Sequence, residues 1–210
     1  RPDRDDRMTR AAAFRMPPPP GEAAPEVQTV RERILSQSTR MFAERGFAEV
    51  TIREIAAAAG VEAPTIYHYF GDKRSLYRTA CVTCFVQRAS RYYRAWRSPA
   101  PPAERIRMFV ILLCESLSDD EIFRRLLQRE LIDHDPDTMA ELARTSFQEH
   151  FDELLALVKS LRASGDPVRL TFSIFALAFG FTQLKPVELA AKPPLEIAND
   201  AHALADLILA

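Results

Sequence analysis

The chain has 210 residues, 47% of them hydrophobic, and a formal net charge of −1, enough apolar material for one large or two small packed domains. That composition excludes a disordered or fibrous chain, and three cysteines without framework spacing argue against a secreted disulfide scaffold. A charge evenly spread at −1 would argue against a nucleic-acid partner, but the charge is uneven. Between Ala63 and Arg97 the only acid is Asp72, against Lys73 and six arginines, whereas acids dominate from Glu115 to Glu153.

Residues 1–25 mix arginine, aspartate and a run of four prolines, Pro17 to Pro20, and read as a disordered tail whose arginines add non-specific phosphate attraction. Helical periodicity then begins. The stretch RERILSQSTRMFAERGFAEV, residues 31–50, places Ile34, Leu35, Met41 and Phe42 on one face and closes at Gly46-Phe47. Thr51 followed three residues on by Glu54 predicts a capping box, and a short second helix should end at Gly60 in the left-handed conformation. Pro64 suits the first turn of a third helix, running to about Phe70 and stopped by Gly71. Two short helices joined by a tight turn are the helix-turn-helix unit that places its second helix in a DNA groove.

The run TIYHYFGDK, residues 65–73, together with residues 28–78 as a whole, resembles the DNA-binding domain of the TetR family of bacterial one-component transcriptional regulators. The small polar residue often found before the recognition helix of that family is replaced here by Glu62-Ala63-Pro64. The resemblance implies base contacts from Arg53, Thr65, His68 and Tyr69 and phosphate anchors at Tyr67 and Lys73, and Thr51 at the start of the second helix is counted with them as a DNA-binding residue. The alternative for Tyr67, Tyr69 and Phe70 is simple core packing. Helical spacing sends Ile66 and Phe70 inward and leaves Tyr67 and His68 outward.

Downstream, every long segment has helical rather than alternating periodicity, so the protein is expected to be all-α, with about nine helices. A fourth helix, capped by Asp72, should run from Lys73 to about Trp96, a fifth from Ala103 to Leu117, and a sixth from the Ser118-Asp119-Asp120 cap to about Ile132. A seventh should begin at Asp135-Pro136 and continue to Leu161, an eighth span Val168 to about Leu184, and a ninth run from about Pro194 to Leu209. The resulting division is a tail over 1–25, a three-helix DNA-binding domain over 26–72, and an effector-binding and dimerisation domain over 73–210.

Arg88, Arg91 and Arg94 lie too far along the fourth helix to share a duplex with Lys73. They read as a face solvated or ion-paired with the acidic second half, or as an anion site. Cys81 and Cys84 share a helical face but lack the strand-to-helix setting of a redox pair. The resemblance implies an effector pocket, for which Tyr92, Tyr93, Trp96, Phe109, Leu113, Phe147 and Phe151 are candidates, with Glu115, Arg129, His134 and His150 as polar markers. The same aromatics could instead be core. The eighth and ninth helices are apolar nearly all round, which favours pairing with their copies in a second subunit through Phe172, Phe175, Phe179, Leu204, Leu207 and Ile208. TetR-family proteins dimerise in this way.

The expected partners are a double-stranded DNA operator, a second copy of the chain and a small-molecule effector. The run 168–184 reads as too short and too interrupted to span a bilayer, and residues 1–25 have no signal-peptide core, so a cytoplasmic protein with no membrane role is expected. No cofactor, metal or catalysis is expected. The competing readings are a ligand-independent DNA-binding regulator or an activator, and an all-α metal protein or enzyme ligated by Asp133, His134, Asp137 and His150, residues at a polar helix break without a recognised ligand spacing.

Overall fold

Thr29 opens the first helix, α1 (Val30–Arg45), with a capping box in which its hydroxyl accepts from the Glu32 amide and Glu32 accepts in return from the Thr29 amide. The T-x-x-E signature was present in the sequence and marks this start as clearly as that of the next helix. α1 ends at Gly46, whose φ of 86° is left-handed. The computed structural model describes residues 28–133, 135–161, 165–190 and 201–209. The expected disordered tail and the expected helical start at 194–200 lie outside them.

Among the described residues the chain is helical throughout, without strands. After α1 come α2 (Ile52–Ala59), α3 (Ala63–Phe70), α4 (Lys73–Ala89), α5 (Tyr93–Trp96), α6 (Pro102–Asp119), α7 (Glu121–Asp133), α8 (Pro136–Leu142), α9 (Gln148–Ser160), α10 (Pro167–Ala190) and α11 (Ala201–Leu209). Two of the expected long helices are each split. A 3-10 turn at Ser90–Tyr92 separates α4 from α5, where the Ser90 hydroxyl bonds back to the Gln87 carbonyl at 2.7 Å. A π turn at Ala143–Phe147 separates α8 from α9.

Aspartates do the capping downstream. Asp72 accepts from the Ser75 amide at 2.7 Å, Asp120 from Phe123 at 3.0 Å and Asp135 from Thr138 at 3.1 Å. The core is continuous from α1 to α11: Ile34 and Phe42 of α1, Ile55 and Ile66 of the next two helices, Leu76 of α4, Phe109 of α6, Leu126 of α7 and Leu154 of α9 are all fully buried. α4 and α7 are the struts that join its two ends. Phe85 of α4 meets Phe123 of α7 edge-on at 4.9 Å, and Arg88 pairs with Asp120 at 2.6 Å. Two further α4 arginines are tied to α8 and its cap, Arg74 to Asp135 at 2.9 Å and Arg78 to Glu141 at 3.7 Å. Arg91 and Arg94 are exposed and carry no ion pair among the described residues.

α10 departs from expectation. It runs for 24 residues, and its Pro167–Leu184 window, with mean hydropathy 1.3, is long and apolar enough to cross a membrane by length and composition alone. The sequence-based judgement that this run was too short is thereby corrected. One stripe of it, Thr171, Ile174, Ala178 and Thr182, is buried against the rest of the chain, with both threonine hydroxyls satisfied by carbonyls one turn back. Phe172 and Leu177 remain exposed.

Candidate nucleic-acid interface

The helix-turn-helix is built from short-range chemistry. Thr51 accepts from the Glu54 amide at 3.3 Å, while the Glu54 carboxylate accepts from the Thr51 amide at 2.8 Å and from its hydroxyl at 2.7 Å. Arg45 of α1 donates to the same carboxylate at 2.8 Å and to the Glu49 carbonyl at 2.9 Å, pinning the loop between α1 and α2. These bonds, led by those from Thr51, hold the Glu54 carboxyl at a pKa of about 2. Gly60 ends α2 at φ 65°, ψ 42°, with its amide bonded back to Ala57. Arg33 of α1 reaches the Ala59 carbonyl at 3.4 Å, and the Arg31 guanidinium lies over the Phe70 ring at 5.3 Å.

Glu62 precedes α3 without a side-chain cap; Pro64 in the first turn, which has no N–H to satisfy, sets the helix start instead. Ile66 and Phe70 are buried, as their spacing predicts, and this turns the opposite side of α3 outward. Tyr67 is 51% exposed and Tyr69 44%, with the His68 ring edge-on to Tyr69 at 5.4 Å. Core packing therefore does not account for Tyr67 or Tyr69. Arg53 is exposed at the start of α2, and Thr65 is partly exposed. No ion pair or side-chain hydrogen bond engages Arg53, Tyr67 or His68 among the described residues. Thr51 is committed to its cap. Lys73 is partly buried, its ammonium over the Phe47 ring at 4.4 Å and 3.4 Å from the Ala48 carbonyl, with donors left for a phosphate.

Replacing Thr51 by alanine is expected to cost about 1 kcal/mol through loss of the cap. The same change should raise the Glu54 titration midpoint, read by carboxyl NMR, from about 2 toward the ordinary carboxylate range. Because the folded pKa is the depressed one, the contribution of Glu54 to stability is present above the ordinary value of 4.5 and is lost as pH falls through about 2. A midpoint that stays near 2 in the variant would show that Thr51 is not what holds the carboxylate.

The effector-pocket candidates form a packed ring cluster. Trp96 stacks on Phe109 at 4.6 Å, Phe109 meets Tyr92 at 5.4 Å and Phe175 at 5.3 Å, and Phe175 lies against Phe147 at 4.8 Å and Phe151 at 6.3 Å. The Trp96 indole donates to His150 Nδ1 at 2.8 Å, and burial holds the His150 pKa below its ordinary value, which keeps that nitrogen an acceptor. Leu113 is buried in the same core and Tyr93 donates to Glu149 at 2.6 Å. Clefts that open elsewhere include one of about 470 Å³ along α9 between Arg144 and Ala156 and one of about 280 Å³ between α4 and α8 over Arg78 and Glu141. Neither is lined by any of the aromatic candidates.

Of the polar markers, Glu115 is exposed, His134 lies outside the described residues, His150 belongs to the ring cluster, and Arg129 points to α1. Of the alternative metal set, Asp137 is exposed and His150 is engaged by Trp96, while His134 and the Asp133 side chain lie outside what is described; no group of three or more ligating side chains occurs among the described residues. Cys81 and Cys84 are both buried, which pushes both thiols up, that of Cys84 to about 11, and leaves them as core residues. At the dimer-face positions, Phe172 and Leu207 are exposed, Phe175, Phe179 and Ile208 are half-buried against the core, and Leu204 is buried within the chain itself.

An all-α protein that presents an unengaged arginine and an exposed Tyr-His-Tyr run on a capped helix-turn-helix belongs to the helix-turn-helix class of DNA-binding proteins. Residues 34–80 match the family model for bacterial regulatory proteins of the tetR family. Over these residues the chain is similar to the TetR family. It is 32% identical over 120 residues to the HTH-type transcriptional regulator AcrR of Shigella flexneri, covering 56% of this chain and 54% of AcrR. It is 38% identical over 61 residues to the transcriptional repressor KstR2 of Rhodococcus jostii, covering 29% and 30% of the two chains. The chain thus spans about half or less of the length of these relatives. The fold extends further than the sequence likeness: FadR of Bacillus subtilis, solved with stearoyl-CoA, superposes with a TM-score of 0.67 at 18% identity over 84% of this chain and 94% of that one.

Proposed function

We propose that the chain is a ligand-responsive transcriptional regulator, a repressor that binds a palindromic operator as a homodimer and is released by a small-molecule effector. Residues 26–72 read the DNA and residues 73–210 bind the effector and form the dimer. The outward turn of Tyr67, His68 and Tyr69 over buried Ile66 and Phe70 carries this reading, because it leaves an exposed aromatic and polar helix face that no other helix covers among the described residues. One short helix touches too few base edges for useful specificity, so a pair of them is needed. Release follows if the effector prefers a conformation in which the two recognition helices are spaced differently. The ring cluster supports an effector with an apolar part, and the stearoyl-CoA held by FadR has one. A protein that reads chromosomal DNA works in the cytoplasm.

Selection of binding sites from random and genomic fragments is the first test, with an enriched palindrome as the expected result. Lys73→Ala should weaken binding to all sequences about equally and reduce the salt slope by roughly one. Arg53→Ala should instead relax preference at one base position in each half-site. No enrichment at low salt would overturn the DNA-binding reading, and an unchanged salt slope would remove Lys73 from the interface.

A further inference from the structure

We propose that Arg129 of α7 is the residue that sets the orientation of the DNA-binding helices on the rest of the chain. Its Nε donates to the Ala43 carbonyl at 3.1 Å and its Nη2 to the Glu44 carbonyl at 3.0 Å, a link across 86 and 85 residues of sequence respectively. These carbonyls belong to the last turn of α1, where no intrahelical donor reaches them, since the Gly46 amide goes to Phe42 at 2.8 Å. A planar cation with parallel donors suits two adjacent carbonyls at the negative end of a helix. Gly46 leaves the room for it: a Cβ there would lie 2.6 Å from Nη1 of Arg129.

The neighbouring residue of α7 holds the other strut. Glu130 is fully buried and accepts from the Tyr77 hydroxyl of α4. The Tyr77 ring in turn meets Phe42 at 5.0 Å and Phe47 at 5.2 Å, both edge-on. Consecutive residues of one helix therefore grip α1 and α4, the two helices that flank the helix-turn-helix. α7 is itself fixed to α6, the helix of Phe109, through the single connecting residue Asp120, which caps it and pairs with Arg88. Both grips are polar, but Arg129 is the partly exposed one, so it can be released without opening the core.

The consequence for operator binding rests on the regulator function proposed above, but the positioning role does not. Nitroxides at Ser36→Cys on α1 and Glu153→Cys on α9, both exposed positions, report the distance between the two ends of the chain by pulsed electron resonance. The native cysteines are buried and escape labelling in the folded protein, and dilution into excess unlabelled chain leaves one labelled chain per assembly. The intact chain should give one narrow distance distribution. Arg129→Ala should broaden or shift it with circular dichroism unchanged, and Arg129→Lys, a point charge without the fork, should restore it in part. Operator affinity of Arg129→Ala should fall about tenfold, the scale of losing charged hydrogen bonds. If the alanine variant fails to fold, Arg129→Gln, which retains a donor but no charge, takes its place. Distributions identical to that of the intact chain in the folded variants overturn the proposal. A widened distribution in a protein that selects no DNA site would sustain the positioning role and refute the operator reading.

Discussion

Phe109→Ala is expected to destabilise the protein by about 3–5 kcal/mol, among the largest single effects available in the chain. Phe109 is fully buried and touches three aromatic rings, those of Tyr92, Trp96 and Phe175. Its removal forfeits the transfer energy of a phenyl group and leaves a cavity that the surrounding rings, held by the Trp96–His150 bond, can close only in part. For a chain of this size the loss corresponds to a fall in Tm on the order of 10 °C. Trp96 is the one tryptophan of the chain and stacks on Phe109, so its fluorescence follows the same event as the calorimeter. A cost below about 1 kcal/mol would mean that the ring cluster is a loosely filled pocket and not core, because a side chain lining open space loses few contacts. Such a result would also change where the proposed effector would enter. With a closed cluster, binding there must displace rings, and the cost of doing so is part of the effector's affinity.

Ile66 and Phe70 were placed inward by spacing alone, and Thr51, Gly60, Asp72, Asp120 and Asp135 were readable as caps because each acts within three or four residues of itself. Local chemistry of that kind is written in the order of the chain. The breaks at Ser90–Tyr92 and Ala143–Phe147 were not legible, since 3-10 and π turns keep nearly helical dihedrals and leave the apolar period almost undisturbed. The Trp96–His150 bond and the Arg129 link span 54 and 86 residues, and nothing near any of these positions announces its partner. Leu204 fitted an apolar outer face by spacing, yet α11 packs that residue into its own chain beside Ala205. A helix apolar on more than one side gives no signal as to which side faces which neighbour.

If the proposed homodimer forms through α10 and α11, a chain carrying Phe172→Arg and Leu177→Arg is expected to sediment as a monomer, with unchanged helicity, under conditions in which the parent sediments as a dimer. Phe172 is 61% exposed, Leu177 is also exposed, and Leu207 of α11 is 70% exposed. Apolar side chains left open on two helices at one end of the sequence are what a contact with another surface covers. Length and hydropathy alone would equally allow α10 to meet lipid, but Ser173 and Arg169 share its exposed surface and four residues of its other stripe are buried in the protein. A four-helix contact between two copies accommodates such mixed edges. Two arginines placed against their own symmetry mates add like charge to desolvation at the centre of the interface. The loss should extend to DNA, because two recognition helices joined in a dimer gain their second contact at high effective concentration. Operator affinity should therefore fall on the order of a hundredfold even though Arg53, Tyr67, His68 and Lys73 are untouched. A parent chain that remains monomeric while binding a palindrome tightly would separate recognition from dimerisation and require the operator itself to bring the two copies together.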